Sequence, residues 1–210
     1  SQIDELFGSL SALESLIEVI GFNTSEERES TERLVELVFP SLETLAKNQI
    51  SNWGPDTASI LLLVFKCFAG VTTVEIPDYF DPKNGANTSF YFWMKAVEEV
   101  LARKPASELT SQSKSWKETI EREQHPEWRL KRVAAQIVML HSHHARSRRD
   151  KVDMDPAAAL FGREFAMLFL DKVLSMLSVY PREFVPPKCM VFCLKTVSNC
   201  MLIEPCLKTM

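Results

Sequence analysis

Apolar residues recur at spacings of three and four along most of this 210-residue chain, which is the period of an amphipathic α-helix. A first helix is predicted over about 2–21 from the stripe Ile3, Leu6, Phe7, Leu10, Leu13, Ile17 and Ile20. Thr24-Ser-Glu-Glu27 is a capping box that predicts a second helix over about 25–50, which Pro40 is expected to kink. Its buried face is predicted to carry Leu34, Val38, Leu42, Leu45 and Ala46.

Two further helices are predicted before residue 104. Pro55-Asp56 begins a helix over about 55–74, and its middle, Ile60–Phe65, is apolar nearly all round. Other helices must therefore flank it on several sides. The next helix, about 89–103, has the stripe Phe90, Trp93, Met94, Val97 and Leu101. Residues 104–124 are polar, which predicts a loop or a short helix.

Proline marks each helix start in the second half of the chain. A fifth helix is predicted over about 126–146, a sixth over 156–179 and a seventh over 186–202, and Pro205 is the expected start of an eighth. The predicted inward residues of the fifth helix are Leu130, Val133, Ala134, Ile137 and Leu140. Those of the sixth are Phe161, Phe165, Leu168, Phe169, Leu177 and Val179.

The predicted helices form pairs over about 2–50, 55–103, 126–179 and 186–210, with no strand. The pairs start near 2, 55, 126 and 186, at intervals of 53, 71 and 60 residues. These intervals exceed the roughly 40–47 residues of HEAT and armadillo repeats, and insertions at 77–88 and 104–124 account for much of the excess. The predicted fold is therefore all-α, an α-solenoid of antiparallel helix pairs with about three and a half repeats in one segment, 1–210. A compact helical bundle is the alternative.

Charge is distributed unevenly along the chain. Residues 1–50 carry ten acidic and three basic residues, whereas residues 126–151 carry seven basic and two acidic residues. This pattern suits protein partners and argues against a nucleic-acid binder, which needs a broadly basic face. Arg146, Arg148 and Arg149 follow His141, His143 and His144 at the end of the fifth helix. We interpret this segment, which Lys131 and Arg132 extend only loosely, as a cationic helix terminus, with a binding patch for an acidic partner as the alternative.

Candidate chemistry is sparse. Cys189, Cys193 and Cys200 share one helix face, but no histidine is nearby to complete a metal site, so packing thiols are the favoured interpretation. No catalytic motif is present, and we predict a protein that is not an enzyme and has no metal or cofactor. Trp93 is predicted to be core, whereas Trp116 and Trp128 are equally suited to core or partner anchor.

Cysteine usage and length complete the expectations. The five cysteines are odd in number and lie among apolar residues, which indicates reduced thiols inside the cell. The longest apolar run, Ile60–Phe65, is far too short to span a membrane. The chain opens on Ser1 and stops just after Pro205, so we expect it to be part of a longer protein.

The serial order of these elements resembles the importin-β superfamily of nuclear transport receptors, and most of all its importin seven and importin eight branch. The resemblance spans nearly the whole chain. It is carried by Leu34–Leu42, Ile60–Phe68 with Ile76-Pro77, Phe92-Trp-Met94, Trp128-Arg-Leu-Lys-Arg132 and Phe165–Leu170. Arg132 stands where the branch commonly has lysine, and 106–124 is polar where relatives are often acidic.

The resemblance implies HEAT repeats that bind protein cargo, Phe-Gly nucleoporins and Ran GTPase while shuttling between cytoplasm and nucleus. The main Ran site is expected in repeats outside this segment. Leu62, Leu63 and Trp128 are the candidate nucleoporin contacts, because a Phe ring fits between neighbouring helices and many weak contacts give avidity. Two alternatives stay open: a HEAT scaffold of a complex unrelated to transport, such as a phosphatase or chromosome-complex subunit, and a helical-repeat DNA glycosylase.

Overall fold

The structure is a computed structural model that describes residues 2–20, 24–81, 89–147 and 155–203. Within these ranges the chain is helical and has no strand, so the predicted all-α class is confirmed. The helices are α1 (Gln2–Val19), α2 (Ser25–Ser51), α3 (Thr57–Val71), α4 (Ser89–Ala102), α5 (Ser107–Thr110), α6 (Trp116–Gln124), α7 (Pro126–Ser147), α8 (Pro156–Leu160), α9 (Ala166–Val179) and α10 (Pro187–Cys200). The chain divides into two compact units, Ser1–Ala96 and Val97–Met210.

Two of the predicted helix starts are confirmed by their local hydrogen bonds. Thr24 Oγ1 accepts from the Glu27 amide at 3.1 Å, and the Glu27 carboxylate accepts from the Thr24 amide at 3.1 Å, which completes the capping box. Asp155 accepts from the Ala157 amide at 2.9 Å and caps α8, where proline occupies the first turn. The expected eighth helix at Pro205 lies outside the described residues.

Helix α3 is the centre of the first unit, and both α1 and α2 pack on it. It is buried along almost its whole length, as its all-round apolar sequence predicted. Gly70 allows α1 to approach closely, because a Cβ atom at this position would lie 2.6 Å from Ile17 Cγ2. A larger side chain there would push Ile17 aside.

Aromatic side chains from four elements build the core of this unit. The rings of Phe68 and Trp93 are stacked with centroids 4.8 Å apart, and Phe39 meets Trp93 edge-on at 5.6 Å. Phe80, from a short 3-10 helix (Asp78–Phe80), meets Phe39 and Phe68 edge-on at 5.2 and 5.3 Å. Glu43 accepts from the Trp93 indole at 3.2 Å, so the one polar atom of this ring is satisfied. Trp93 is core, as predicted.

The buried face of α2 is rotated relative to the predicted one. The buried apolar residues are Val35, Phe39, Leu42 and Ala46, whereas the predicted Leu34, Val38 and Leu45 are only half-buried. Phe39 presents the largest apolar surface of the helix and inserts into the aromatic core, which turns this stripe inward.

In the second unit α10 packs on both α7 and α9. The predicted sixth helix is divided into α8, a π-helical turn (Phe161–Phe165) and α9. The π turn holds one extra residue, and after it Ala166 and Phe169 are buried whereas Leu168 is 38% exposed. The prediction of an inward Leu168 is therefore wrong.

The polar insertion at 104–124 folds into α5 and α6 and is tied to α7. The Glu127 carboxylate accepts from the Ala106 amide at 3.1 Å, and the Trp128 indole donates to the Leu109 carbonyl at 3.0 Å. The Phe184 amide donates to the Thr110 carbonyl at 2.8 Å. Residues far apart in sequence therefore hold the insertion in place.

Candidate functional site

Helices α7 and α10 meet at a small polar network that contains Arg146, one of the predicted partner-binding residues. Asn199 on α10 is 6% exposed, and its Oδ1 accepts from Arg146 Nη1 at 3.2 Å. Its Nδ2 donates to the Ser142 hydroxyl at 3.0 Å and to the Met139 carbonyl at 3.4 Å. The buried Asn199 side chain thus links the exposed Arg146 guanidinium to a hydroxyl and a backbone carbonyl of α7.

The other arginines of the predicted patch, Arg148 and Arg149, lie outside the described residues. Lys131, placed loosely in the patch by sequence, is instead buried, and its Nζ donates to the Leu101 carbonyl at 2.7 Å in the last turn of α4. Burial lowers the pKa of Lys131 to about 8. The Lys131 ammonium thus satisfies a backbone carbonyl at the C-terminal end of α4 and does not contribute to a solvent-facing basic surface.

The histidines at the end of α7 differ in their exposure to solvent. His143 is exposed, whereas His141 is fully buried beside Phe161, with ring centroids 6.1 Å apart. Desolvation, together with the neighbouring His144, lowers the pKa of His141 to about 3. The interpretation of this histidine as part of a cationic helix terminus is therefore wrong, because its imidazole is neutral at physiological pH.

A groove of about 410 Å³ opens between α7 and α10 beside this network. Met139 and Leu140 contribute its apolar lining, and the charged or titratable side chains lining it are Arg146, Lys195 and His143. Sequence reasoning missed the groove because Lys195 and Arg146 are 49 positions apart and belong to different predicted helix pairs. Chemically the groove is suited to recognising negatively charged groups that carry an apolar neighbour.

The predicted nucleoporin contacts on α3 differ in accessibility. Leu62 is only 5% exposed, whereas Leu63 is half-buried and reaches the surface of its unit. A ring that binds from solution can touch Leu63 without rearrangement, whereas contact with Leu62 requires neighbouring side chains to move.

The two tryptophans that sequence left undecided have opposite environments. Trp128 is 3% exposed, and its indole hydrogen bond and the edge-on contact with Phe184 at 6.0 Å make it part of the core. Trp116, in the first turn of α6, is 76% exposed, and Ile120 one turn later is exposed as well. The partner anchor among these residues is thus better placed at Trp116 than at Trp128.

A second groove, of about 610 Å³, lies between α2 and α4 in the first unit. Tyr91 and Phe92 give it an aromatic side, and Lys47 and Lys95 are basic residues in its lining. The Lys95 ammonium lies 5.9 Å from the centroid of the Tyr91 ring, within cation–π range. The sequence contained no signal for this groove, because α2 and α4 belong to different predicted pairs.

The buried cysteines of the described ranges do not form a metal site beside either groove. Cys67, Cys189, Cys193 and Cys200 are all buried between helices. In the described ranges no three side chains of the ligand-forming types gather closely enough to hold a metal ion. Nor does any helix in those ranges have the length and continuous apolar character needed to cross a membrane.

Comparison with protein-family models, with curated proteins and with solved structures gives no significant match for this chain. The resemblance to nuclear transport receptors therefore depends on the order of sequence elements alone.

Proposed function

We propose that this chain is a HEAT-repeat segment of a nuclear transport receptor of the importin-β type. It carries protein cargo through nuclear pores, binds Phe-Gly nucleoporins on its helices and shuttles between cytoplasm and nucleus under Ran GTPase control. The main Ran contact is expected in repeats outside this segment.

The observation that carries the proposal is the way helices pack within each unit. Helices α1 and α2 pack on α3 in the first unit, and α10 packs on α7 and α9 in the second. Packing between helices that are close in sequence is what stacked helical repeats require, because each repeat buries its apolar face on its neighbours. Packing of helices on near neighbours in the chain, together with the sequence resemblance, is the support for the proposed solenoid.

Within this proposal Leu63 is the primary nucleoporin contact. It is the accessible member of the predicted set, and an aliphatic side chain on a helix surface offers a Phe ring a weak apolar contact. Weak contacts suit the function, because many of them in series give useful avidity while each one is released rapidly.

The test is a titration of the isotope-labelled chain with a synthetic Phe-Gly repeat peptide, followed by amide chemical shifts. We expect perturbations on α3 around Leu63 at millimolar peptide, and their loss in Leu63→Ala. Leu37→Ala is the matched control, since Leu37 is 78% exposed on α2 and is not a predicted contact. The absence of perturbations on both α3 and α7 would contradict nucleoporin binding and favour a HEAT scaffold of another complex.

A further inference from the structure

The groove between α7 and α10 has a lining of one charge type. Arg146 and Lys195 are its cationic side chains, and among the residues that the structure describes no acidic side chain lines it. Helix α10 contains no acidic residue at all, and the only one in α7 is Glu127 in its first turn. Glu127 is about 28 Å from Arg146 along the helix axis, at 1.5 Å per residue. The positive charges of the groove are therefore not neutralised by the helices that form it.

A hydrogen bond to the buried Asn199 side chain holds Arg146 in position for binding. One of its Nη atoms donates to the buried Asn199 amide at 3.2 Å, and Asn199 is in turn held by Ser142 and the Met139 carbonyl. The side chain nevertheless remains exposed. A guanidinium held in this way loses less conformational freedom on binding, and its other N–H groups suit a carboxylate.

The groove also has an apolar part, formed by Met139 and Leu140. Its volume of about 410 Å³ lies in the range of concave ligand sites, which is about 300–1,000 Å³. Apolar lining next to cations distinguishes it from a phosphate-tracking surface, which is polar and extends over several contacts. The overall charge of −4 also disfavours nucleic acid.

We propose that this groove binds an acidic peptide segment of a partner protein. One carboxylate of the peptide pairs with Arg146, a second with Lys195, and an apolar side chain between them packs on Met139 and Leu140. The groove is formed by helices other than α3, to which nucleoporin binding is assigned. A negative result for one of the two binding proposals therefore leaves the other unaffected.

The experiment uses the 210-residue chain and a short fluorescein-labelled peptide in which Asp-Glu pairs alternate with leucine, monitored by fluorescence anisotropy. A peptide with Asn and Gln in place of Asp and Glu is the control ligand. We expect the acidic peptide to bind at least tenfold more tightly than the amide peptide, because each charge-assisted hydrogen bond is roughly twice as strong as a neutral one.

Matched protein variants locate the binding. Arg146→Glu and Lys195→Glu each reverse one charge in the groove and are expected to weaken the acidic peptide by about tenfold or more. Arg163→Glu makes the same charge change at an exposed residue of the π turn that does not line the groove, and is expected to leave the affinity within about twofold. Both groove positions are exposed, and circular dichroism verifies that each variant keeps the wild-type helix content.

Three outcomes would overturn the proposal. The first is equal affinity for the acidic and the amide peptide. The second is an equal loss in Arg163→Glu and Arg146→Glu, which would indicate a general charge effect. The third is binding of a single-stranded oligonucleotide more tightly than the acidic peptide with loss in Arg146→Glu, which would assign the groove to nucleic acid.

Discussion

His141 makes the stability of this protein sensitive to mild acid. Its imidazole is fully buried on α7, and burial next to His144 lowers its pKa from 6.5 to about 3. An unfolded chain exposes the same ring to water, where it binds a proton below about pH 6.5. The folded state thus binds fewer protons than the unfolded state between about pH 6.5 and pH 3, and acid shifts the equilibrium toward unfolding.

The size of the effect follows from the difference between the two pKa values. The free energy of unfolding is unaffected by this group above about pH 6.5 and falls by about 1.4 kcal/mol for each pH unit below it. At pH 5 the loss is about 2 kcal/mol, a large part of the 5–15 kcal/mol typical of a folded domain. The loss levels off only below about pH 3, where the folded state binds the proton too.

The assay is urea denaturation followed by circular dichroism between about pH 7.5 and pH 5. We expect the midpoint of the wild-type chain to fall by roughly 1 M over this range, and the fall to be much smaller in His141→Leu, which keeps a buried side chain of similar size. His143→Leu is the matched control, since it removes an exposed imidazole from the same helix. Parallel pH profiles of the wild type and His141→Leu would show that His141 is not the source of the acid sensitivity.

Further predictions concern packing and capping. Phe39→Ala should lower the free energy of unfolding by about 3–5 kcal/mol in urea denaturation, because it empties the centre of an aromatic core; Leu37→Ala on the same helix should change it by less than about 0.5 kcal/mol, and equal effects would contradict the packing of α2. Acrylamide should quench the fluorescence of Trp116 far more strongly than that of Trp128, where Trp116→Phe and Trp128→Phe each identify the emission of the residue removed; the reverse order would contradict their exposures. Thr24→Ala should cost about 1 kcal/mol of stability through loss of the capping box, whereas Thr24→Ser should retain it; equal losses in a thermal melt would show that the hydroxyl is not responsible.

Helix positions were predictable because their signals are local. The capping box at Thr24 and the prolines at 126 and 156 act on backbone groups within one turn, so the sequence predicts these starts without knowledge of the fold. The stripe on α4 was predicted correctly for the same reason, since its apolar residues are large and strictly periodic.

The face that each helix buries was harder to predict, because it depends on which partner surface is available. Phe39 turns α2 toward an aromatic core whose members come from residues up to 54 positions away. The π turn at Phe161–Phe165 shifts the buried stripe by one residue and leaves Leu168 exposed. Periodicity assumes an uninterrupted helix, so no pattern in this segment signalled the shift.

The same distinction between local signals and long-range packing applies to the candidate binding sites. Local sequence signals were enough to assign the all-helical class and most of the helix starts, because these properties depend on neighbours within a few positions. The packing of helices in the folded chain buries Lys131 and His141 and brings Arg146 to Asn199 beside a groove. It also buries Trp128 and leaves Trp116 exposed. Burial and long-range pairing depend on which helices pack together, and that is a property of the folded chain as a whole.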